Sequence, residues 1–312
     1  PLKIEFSGPK ILFKNNADEL SESDFNELIS TLNQRLVSMG VAIAPNTLRQ
    51  SNASAIHFAK NIVITEGYTV QSIIREIYKI GLTKKLSMAQ VTFIPDGSSL
   101  QCYSASHSLV IYDKISDLTK PLVRAIDKDR ISAQQSLWET IQSMDKRLQL
   151  LRIEARISKR QKLKEVMNII GHPNALTFEA IFKKDVCQKA VRYYWEKMIA
   201  NENLFLFELN NNPILLLEEI FKNRPHLHPK EALYEIGLRL SCQSDGGIGE
   251  LRSVIENASS KRSWHRIAKQ IKKLNRKKDM RDYHNWVKQI TDQINTFEAF
   301  KLSTCDVNNS KV

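Results

Sequence analysis

The sequence predicts an α+β fold in which an antiparallel sheet with packed helices is followed by an all-helical C-terminal domain. Residues 108–114 and 150–157 alternate apolar and polar side chains, which is typical of strands with one buried face. The strand candidates interleave with two or three helices and are joined largely by hairpins, which favours an antiparallel sheet. Beyond residue 170, apolar residues recur only with helical spacing. We therefore expect an α+β domain over residues 1–170 and a helical domain over residues 171–312.

The strands are predicted from short alternating runs bounded by turn residues. Residues 95–98 have the turn sequence Pro-Asp-Gly-Ser, and the runs on either side of it predict a hairpin. The strand candidates are residues 2–6, 10–13, 53–65, 90–94, 100–104, 108–114 and 150–157.

The helices are predicted from apolar spacing together with start and stop signals. Ser21 opens a capping-box-like sequence before the first helix, and Gly40 follows that helix. Gly81 ends the second helix, and the sequence Gly-His-Pro-Asn at residues 171–174 marks the boundary between the two halves. The helix candidates are residues 23–39, 70–80, 122–144, 178–200, 213–222, 230–240, 249–257, 261–274 and 286–300.

Composition and charge restrict the class of partner. The chain has 312 residues, a net charge of +12 and a pI near 9.4, and 42% of its residues are hydrophobic. This hydrophobic content is typical of a globular protein. The positive charge indicates a polyanionic partner, with nucleic acid as the first hypothesis and an acidic membrane surface as the second. No run approaches the roughly 18 apolar residues that span a bilayer, so a membrane span is not expected, and nucleic acid rather than a membrane is the predicted partner.

The cysteines do not indicate a metal or disulfide framework. Cys102, Cys187, Cys242 and Cys305 are far apart and form no C-x-x-C pair. In a chain this long and basic, we expect reduced thiols and no zinc site.

The strand at residues 150–157 carries the most informative pattern. Alternation directs Ile153 and Ala155 to the core and projects Arg152, Glu154 and Arg156 from the other face. A lone carboxylate between two guanidinium groups suits a divalent metal ion with bound phosphates. The alternative is a solvated strand face with a local ion pair.

A second strand supplies a candidate nucleophile. Alternation places Tyr112 and Lys114 on one face of the strand at residues 108–114. An ammonium group favours phenolate and contacts phosphate, so this pair indicates nucleophilic catalysis. A buried structural tyrosine is the competing interpretation.

The strand at residues 53–65 supplies a candidate metal ligand. His57 shares its face with the small residues Ala55 and Ala59. With the carboxylate of Glu154 on a neighbouring strand, a neutral imidazole is a suitable ligand for Mg²⁺ or Mn²⁺, both of which retain water and bind substrate phosphate. A structural histidine is the alternative. His226 and His228 also form a His-x-His pattern, but the flanking prolines exclude it from the middle of a sheet, and we treat it as structural.

A dense basic run lies in the C-terminal half, interleaved with Trp264 and His265. This density resembles a helix that lies on DNA, whereas a solvated helix face is the ordinary alternative. The predicted phosphate contacts are Lys261, Arg262, Arg266, Lys269, Lys272, Lys273 and Arg276.

These residues together resemble the filamentous-phage gene II/gene X type replication initiators and their plasmid and prophage relatives. The sequence Leu-Arg-Ile-Glu-Ala-Arg at residues 151–156 is similar to the family's Arg-x-Glu-Ala-Arg strand, and Tyr112-Asp113-Lys114 is similar to its Tyr-x-Lys strand. Residues 55–60 correspond to a short strand that bears an acidic residue or a histidine, and residues 263–266 resemble the family's C-terminal region. The match spans most of the chain and is loose outside the two central strands.

The resemblance implies a rolling-circle nickase with a relaxase-like catalytic core. Tyr112 would be the nucleophile, Glu154 a metal ligand, and Lys114, Arg152 and Arg156 phosphate contacts. His57 departs from members that have an acid, which leaves metal preference open between Mg²⁺ and Mn²⁺. The implied partners are double-stranded origin DNA, its nicked single strand, and a host helicase and polymerase, in the cytoplasm of a bacterial host.

Two other functions remain open from the residues alone. A conjugative relaxase would use the same chemistry at a transfer origin. A non-catalytic DNA-binding regulatory protein would hold DNA on the sheet without cutting it.

Overall fold

The structure is a computed structural model that describes residues 2–13, 15–82, 86, 88, 90–94, 96–119, 148–199, 204–208, 212–274 and 284–302. Five antiparallel strands form one sheet in the order β1-β5-β4-β3-β2. The strands are β1 (Ile56–Val63), β2 (Gln90–Phe93), β3 (Ser99–Tyr103), β4 (His107–Asp113) and β5 (Leu150–Ile157). Helices pack on this sheet and make up the C-terminal half, so the predicted α+β class is confirmed.

The helices predicted within the described residues are present with changes of boundary, and four further helices were not predicted as helices. The first half contains α1 (Gly8–Leu12), α2 (Phe25–Ser38), α3 (Pro45–Gln50), α4 (Val70–Tyr78), α5 (Lys114–Thr119) and α6 (Arg160–Ile169). The second half contains α7 (Phe178–Ile181), α8 (Lys184–Ile199), α9 (Pro213–Asn223), α10 (Pro229–Gln243), α11 (Gly247–Ala258), α12 (Lys261–Leu274) and α13 (Asn285–Thr296). Short 3₁₀ turns lie at Glu22–Asp24 and Leu204–Phe207.

Local side-chain chemistry explains several element boundaries. The Ser21 N–H donates to the Asp24 carboxylate at 2.7 Å, which completes the capping box before α2. Gly97, in the β2–β3 turn, has a φ of +79°, and a Cβ atom there would lie 2.6 Å from the Gln71 carbonyl oxygen. The hairpin therefore requires glycine at this position.

One hydrophobic core joins the sheet to both halves of the chain. The side chains of Leu151, Ile153, Ala155 and Ile157 are at most 1% exposed and face this core. Trp195 of α8 and Trp286 of α13 belong to the same cluster, although both lie beyond residue 170. The division into domains at residues 170 and 171 stays a prediction, and the core does not stop there.

Side chains from elsewhere in the fold cover the outer edge of β1. The Gln293 amide accepts from the Val63 N–H at 2.9 Å and donates to the Val63 carbonyl at 2.8 Å. The carboxylate of Glu19 accepts from the Asn61 N–H. An exposed strand edge is a template for intermolecular pairing, and these contacts occupy it.

Several predicted elements are corrected. Residues 10–13 were predicted as a strand, but residues 8–12 form α1 because Pro9 suits the first helical turn and Ile11 packs against the α2 cluster. Residues 2–6 form no strand in the described structure, and the β1 edge is already covered. The helix predicted over residues 178–200 is divided into α7 and α8, and α3, α5 and α6 were not predicted. The helix predicted over residues 122–144 lies outside the described residues.

Within the described residues, no helix combines the length and the apolar character needed to cross a membrane. The described cysteines Cys102, Cys187 and Cys242 are free thiols. Burial raises the pKa of each of them to about 12, which makes them poor nucleophiles.

We expect Gln293→Ala to lower the free energy of unfolding by about 1–2 kcal/mol, because it removes two hydrogen bonds to the β1 backbone. Gln289→Ala is the matched control, because among the described residues the Gln289 oxygen accepts one hydrogen bond, from the Thr65 N–H, and its amide nitrogen has no partner. Urea denaturation of both variants measures the difference. Equal losses would contradict the proposed role of Gln293 at the sheet edge.

Candidate active site on the polar face of the sheet

Strand register brings the predicted site residues onto one face. His57 pairs with Arg156 and Asn61 with Arg152 between β1 and β5, and Tyr112 pairs with Arg152 between β4 and β5. Because paired residues project to the same side of a sheet, these side chains form one surface, which we call the polar face. The remaining residues of the polar face are Ala59, Gln90, Thr92, Ser99, Gln101, Tyr103, Ser108, Val110 and Glu154.

The two carboxylate oxygens of Glu154 have different partners. Oε1 lies 3.1 Å from His57 Nδ1. Oε2 accepts from Arg156 Nη2 at 3.1 Å and from the Tyr112 hydroxyl at 3.4 Å. Arg152 Nε lies 3.9 Å from Oε2, which is an ion pair but too long for a hydrogen bond. The structure therefore groups Tyr112, Glu154, His57 and both arginines as predicted.

The charge state of Glu154 follows from these contacts. Its side chain is only 8% exposed, and burial alone would raise the pKa of this carboxyl. The hydrogen bond with His57 and the positive charges of Arg152 and Arg156 outweigh burial and hold the pKa well below its usual range. Glu154 is therefore a carboxylate at neutral pH, and two guanidinium groups leave one net positive charge around it.

Lys114 is near Tyr112, but not as predicted. Strand β4 ends at Asp113, whose carboxylate accepts from the Ser116 N–H at 2.9 Å and from its hydroxyl at 2.7 Å. This is an N-cap interaction that starts α5, so the prediction that Lys114 continues the strand is wrong. Its ammonium lies 5.5 Å from the centroid of the Tyr112 ring and 3.2 Å from the Asp117 carboxylate.

Burial controls the protonation of both Tyr112 and Lys114. It raises the pKa of the Tyr112 hydroxyl above its usual range, and the charge of Arg152 offsets only part of this effect. Burial also lowers the pKa of Lys114 to about 8, with the charge of Arg152 acting in the same direction. Tyr112 is consequently a neutral phenol at neutral pH, with the Glu154 carboxylate as its hydrogen-bond acceptor.

Asn61 is a site residue that the sequence analysis missed. It is 1% exposed, and its Oδ1 accepts from Arg152 Nη1 at 3.1 Å. Its position, four residues after His57 in the same strand, placed it on the polar face by alternation. The even spacing from His57 was the signal in the sequence that could have identified Asn61.

The proposed metal ligands supply two donors. His57 Nδ1 and Glu154 Oε1 are 3.1 Å apart. Neighbouring ligands of an octahedral Mg²⁺ lie about 3 Å apart, because each is about 2.1 Å from the ion. Within the described ranges, no cluster of three or more His, Cys, Asp or Glu residues is placed to hold a metal ion. The pair fits two positions of an ion that would replace the hydrogen bond between them and would take its other ligands from water and phosphate.

The predicted basic helix is α12, which packs against α10 and α11. Trp264, Ile271 and Leu274 anchor its buried face. The exposed cations of the opposite face are Lys261, Arg262, Arg266, Lys269, Lys272 and Lys273.

Part of this exposed face forms a shallow cleft lined by Arg262, His265, Arg266 and Lys269. In the described part of the chain, none of these four residues forms an ion pair with a carboxylate. Arg276 lies outside the described residues.

Comparison of the chain with protein-family models, with curated proteins and with solved structures gives no match. The resemblance to phage replication initiators therefore stays a prediction.

We expect Glu154→Gln to destabilise the protein most at neutral pH. A depressed carboxyl pKa contributes stability that is complete above the ordinary value of 4.5 and is lost as the pH falls below it. The difference in free energy of unfolding between wild type and Glu154→Gln should shrink from pH 7 to pH 3. Glu250→Gln, on the exposed surface of α11, is the control. A difference that stays constant over this range would contradict the ion-pair network.

Proposed function

We propose that the protein is a rolling-circle DNA replication initiator that nicks and rejoins one DNA strand. The observation that carries this proposal is the grouping of Tyr112, Glu154, His57, Arg152 and Arg156 on one face of three adjacent strands. Each group has a role in phosphoryl transfer, and hydroxyl, carboxylate and imidazole are within 3.4 Å of their neighbours.

The reaction is a transesterification. The Tyr112 oxygen attacks the scissile phosphorus, the bond from phosphorus to the 3′ oxygen breaks, and the 3′ oxygen takes up a proton to give a 3′-OH primer. The 5′ end becomes joined to Tyr112 as a phosphotyrosine. Because one phosphodiester replaces another, attack by the 3′-OH reverses the reaction without ATP.

The neighbouring residues have distinct roles in this proposal. Glu154 Oε2 accepts the hydrogen bond of the Tyr112 hydroxyl and orients its oxygen, but the depressed pKa of Glu154 makes it a weak base, so the Tyr112 proton would pass through solvent to the leaving 3′ oxygen. Arg152 and Arg156 neutralise the phosphate, and the Nε atom of each is buried without a hydrogen-bond partner in the described structure. Lys114 places a positive charge near the ring, which favours the phenolate.

A divalent ion is part of the proposal. His57 and Glu154 Oε1 would hold Mg²⁺ or Mn²⁺, which would polarise the scissile phosphate.

The exposed face of α12 supports the DNA partner. Lys269 is seven positions after Arg262, so their side chains lie along about 10 Å of the helix and would contact backbone phosphates. The proposed partners are therefore a double-stranded origin, its nicked strand, and a helicase and polymerase of a bacterial host.

A non-catalytic DNA-binding function is the second candidate. Burial raises the pKa of Tyr112, and Glu154 is already neutralised by guanidinium groups. Both features would suit a surface that binds phosphate without cutting DNA.

We expect wild type, with Mg²⁺ or Mn²⁺, to become labelled by random single-stranded oligonucleotides that carry a 3′ fluorophore. Attack by Tyr112 leaves the 3′-labelled fragment on the protein, which a denaturing gel detects. Tyr112→Phe should give no labelled protein, because it lacks the attacking oxygen. Tyr234→Phe, an exposed tyrosine on α10, should react like wild type.

The same oligonucleotide pool with the fluorophore at the 5′ end is the chemical control, because cleavage releases the 5′-labelled fragment instead of joining it to the protein. Labelled protein from the 5′ pool would contradict the direction of cleavage. Oligonucleotide binding with no adduct under any of these conditions would favour the non-catalytic candidate.

We expect Arg266→Ala and Lys269→Ala each to weaken binding of random-sequence duplex DNA. Each phosphate contact that is lost should reduce the slope of log K against log salt by about 0.9. Fluorescence anisotropy over a range of KCl concentrations measures this slope. Lys230→Ala, an exposed cation at the start of α10, is the matched control. A slope that falls equally in the control would show that α12 has no special role.

A further inference from the structure

We propose that Asn61 is a positioning residue that holds Arg152 at the phosphate site, and that a buried clasp anchors Asn61 to segments near both ends of the described chain. The inference rests on the proposed function, because it takes Arg152 to be a phosphate contact.

Asn61 joins Arg152 to the body of the protein. Its Oδ1 accepts from Arg152 Nη1 at 3.1 Å, and its Nδ2 donates to the Ala17 carbonyl at 2.7 Å. Its backbone N–H donates to the carboxylate of Glu19. Both polar atoms of the Asn61 side chain are therefore hydrogen-bonded, and the residue is only 1% exposed. These contacts fix the direction of its oxygen.

The buried clasp is formed by Glu19, Lys60 and the backbone of residues 298–300. Lys60 is 3% exposed, and its ammonium lies 2.7 Å from Glu19 Oε2 and 2.8 Å from the Glu298 carbonyl. The Phe300 N–H donates to the same carboxylate oxygen at 2.9 Å. A buried charge pair with these additional hydrogen bonds is costly to break, because loss of either partner leaves an uncompensated charge.

Arg152 depends on this support more than Arg156 does. Arg156 donates directly to Glu154 at 3.1 Å, whereas Arg152 approaches it no closer than 3.9 Å. Within the described residues, the Arg152 side chain makes one hydrogen bond, to Asn61. Without it, we expect the guanidinium to turn toward Glu154 and leave the phosphate position, since a free arginine side chain has many rotamers.

Two variants of Asn61 separate positioning from a structural role. Asn61→Ala and Asn61→Asp both lose the donor to Ala17, but only Asn61→Ala loses the oxygen that accepts from Arg152. The readout is the ¹H–¹⁵N NMR signal of Arg152 Nε, identified by its disappearance in Arg152→Lys. Asn26→Ala is the matched control, because Asn26 accepts from Arg49 at 2.8 Å elsewhere in the fold. If Asn61→Ala does not fold, Asn61→Val replaces it, since strands favour valine.

Asn61→Ala should move the Arg152 signal to the averaged position of exposed arginines, and Asn61→Asp and Asn26→Ala should keep it distinct. Affinity for a random single-stranded oligonucleotide should fall about tenfold in Asn61→Ala, the scale of one hydrogen bond to a charged group. In the Arg152→Ala background, Asn61→Ala should cause no further loss.

An unchanged Arg152 signal in Asn61→Ala would overturn the proposal, as would equal losses of affinity with and without Arg152. Wild type that binds no oligonucleotide would contradict the proposed function, and the NMR signal would still decide the role of Asn61.

Discussion

The carboxylate of Glu154 is the group on which the polar face depends. It is buried in a strand that has neighbours on both sides, and a buried charge is costly unless it is paired and hydrogen-bonded. Strand register supplies the partners from β1, β4 and β5 itself, so the same pairing that builds the sheet also builds the site. Two arginines for one carboxylate leave an excess of positive charge, and this excess is what makes the face suitable for an anion.

The sequence predicted those parts of the site that depend on local order. Alternation is a local property, so Arg152, Glu154 and Arg156 were assigned to one face of β5 before any partner strand was known. The prediction for Lys114 was wrong because Asp113 caps α5. The strand therefore ends at Asp113, and the chain is helical from Lys114 onward. That signal was in the sequence, since aspartate is a preferred N-cap residue, but alternation competed with it.

The remaining parts depend on distant contacts that no local pattern contains. Asn61 is held by residues 17–19, and Lys60 by residue 298, which is 238 positions away. The strand predicted over residues 2–6 failed for a related reason. A strand requires a free edge, and whether the β1 edge is free depends on Glu19 and Gln293, which only the folded chain brings there.

The charge balance of the site limits how Tyr112 can act. Arg152, Arg156 and Glu154 together carry one net positive charge, and Lys114 is paired with Asp117. A bound phosphodiester cancels that charge, so Lys114, whose charge is offset by Asp117, would be the remaining cation near a Tyr112 phenolate in the described structure. Burial already raises the pKa of Tyr112, which makes this shortage more severe. Nicking by this face therefore requires one more positive charge, and the space between His57 and Glu154 Oε1 is where a proton or a divalent ion would provide it. Without that charge, the same residues would bind a phosphate and leave it intact, so a cation at His57 would separate the catalytic proposal from the binding alternative.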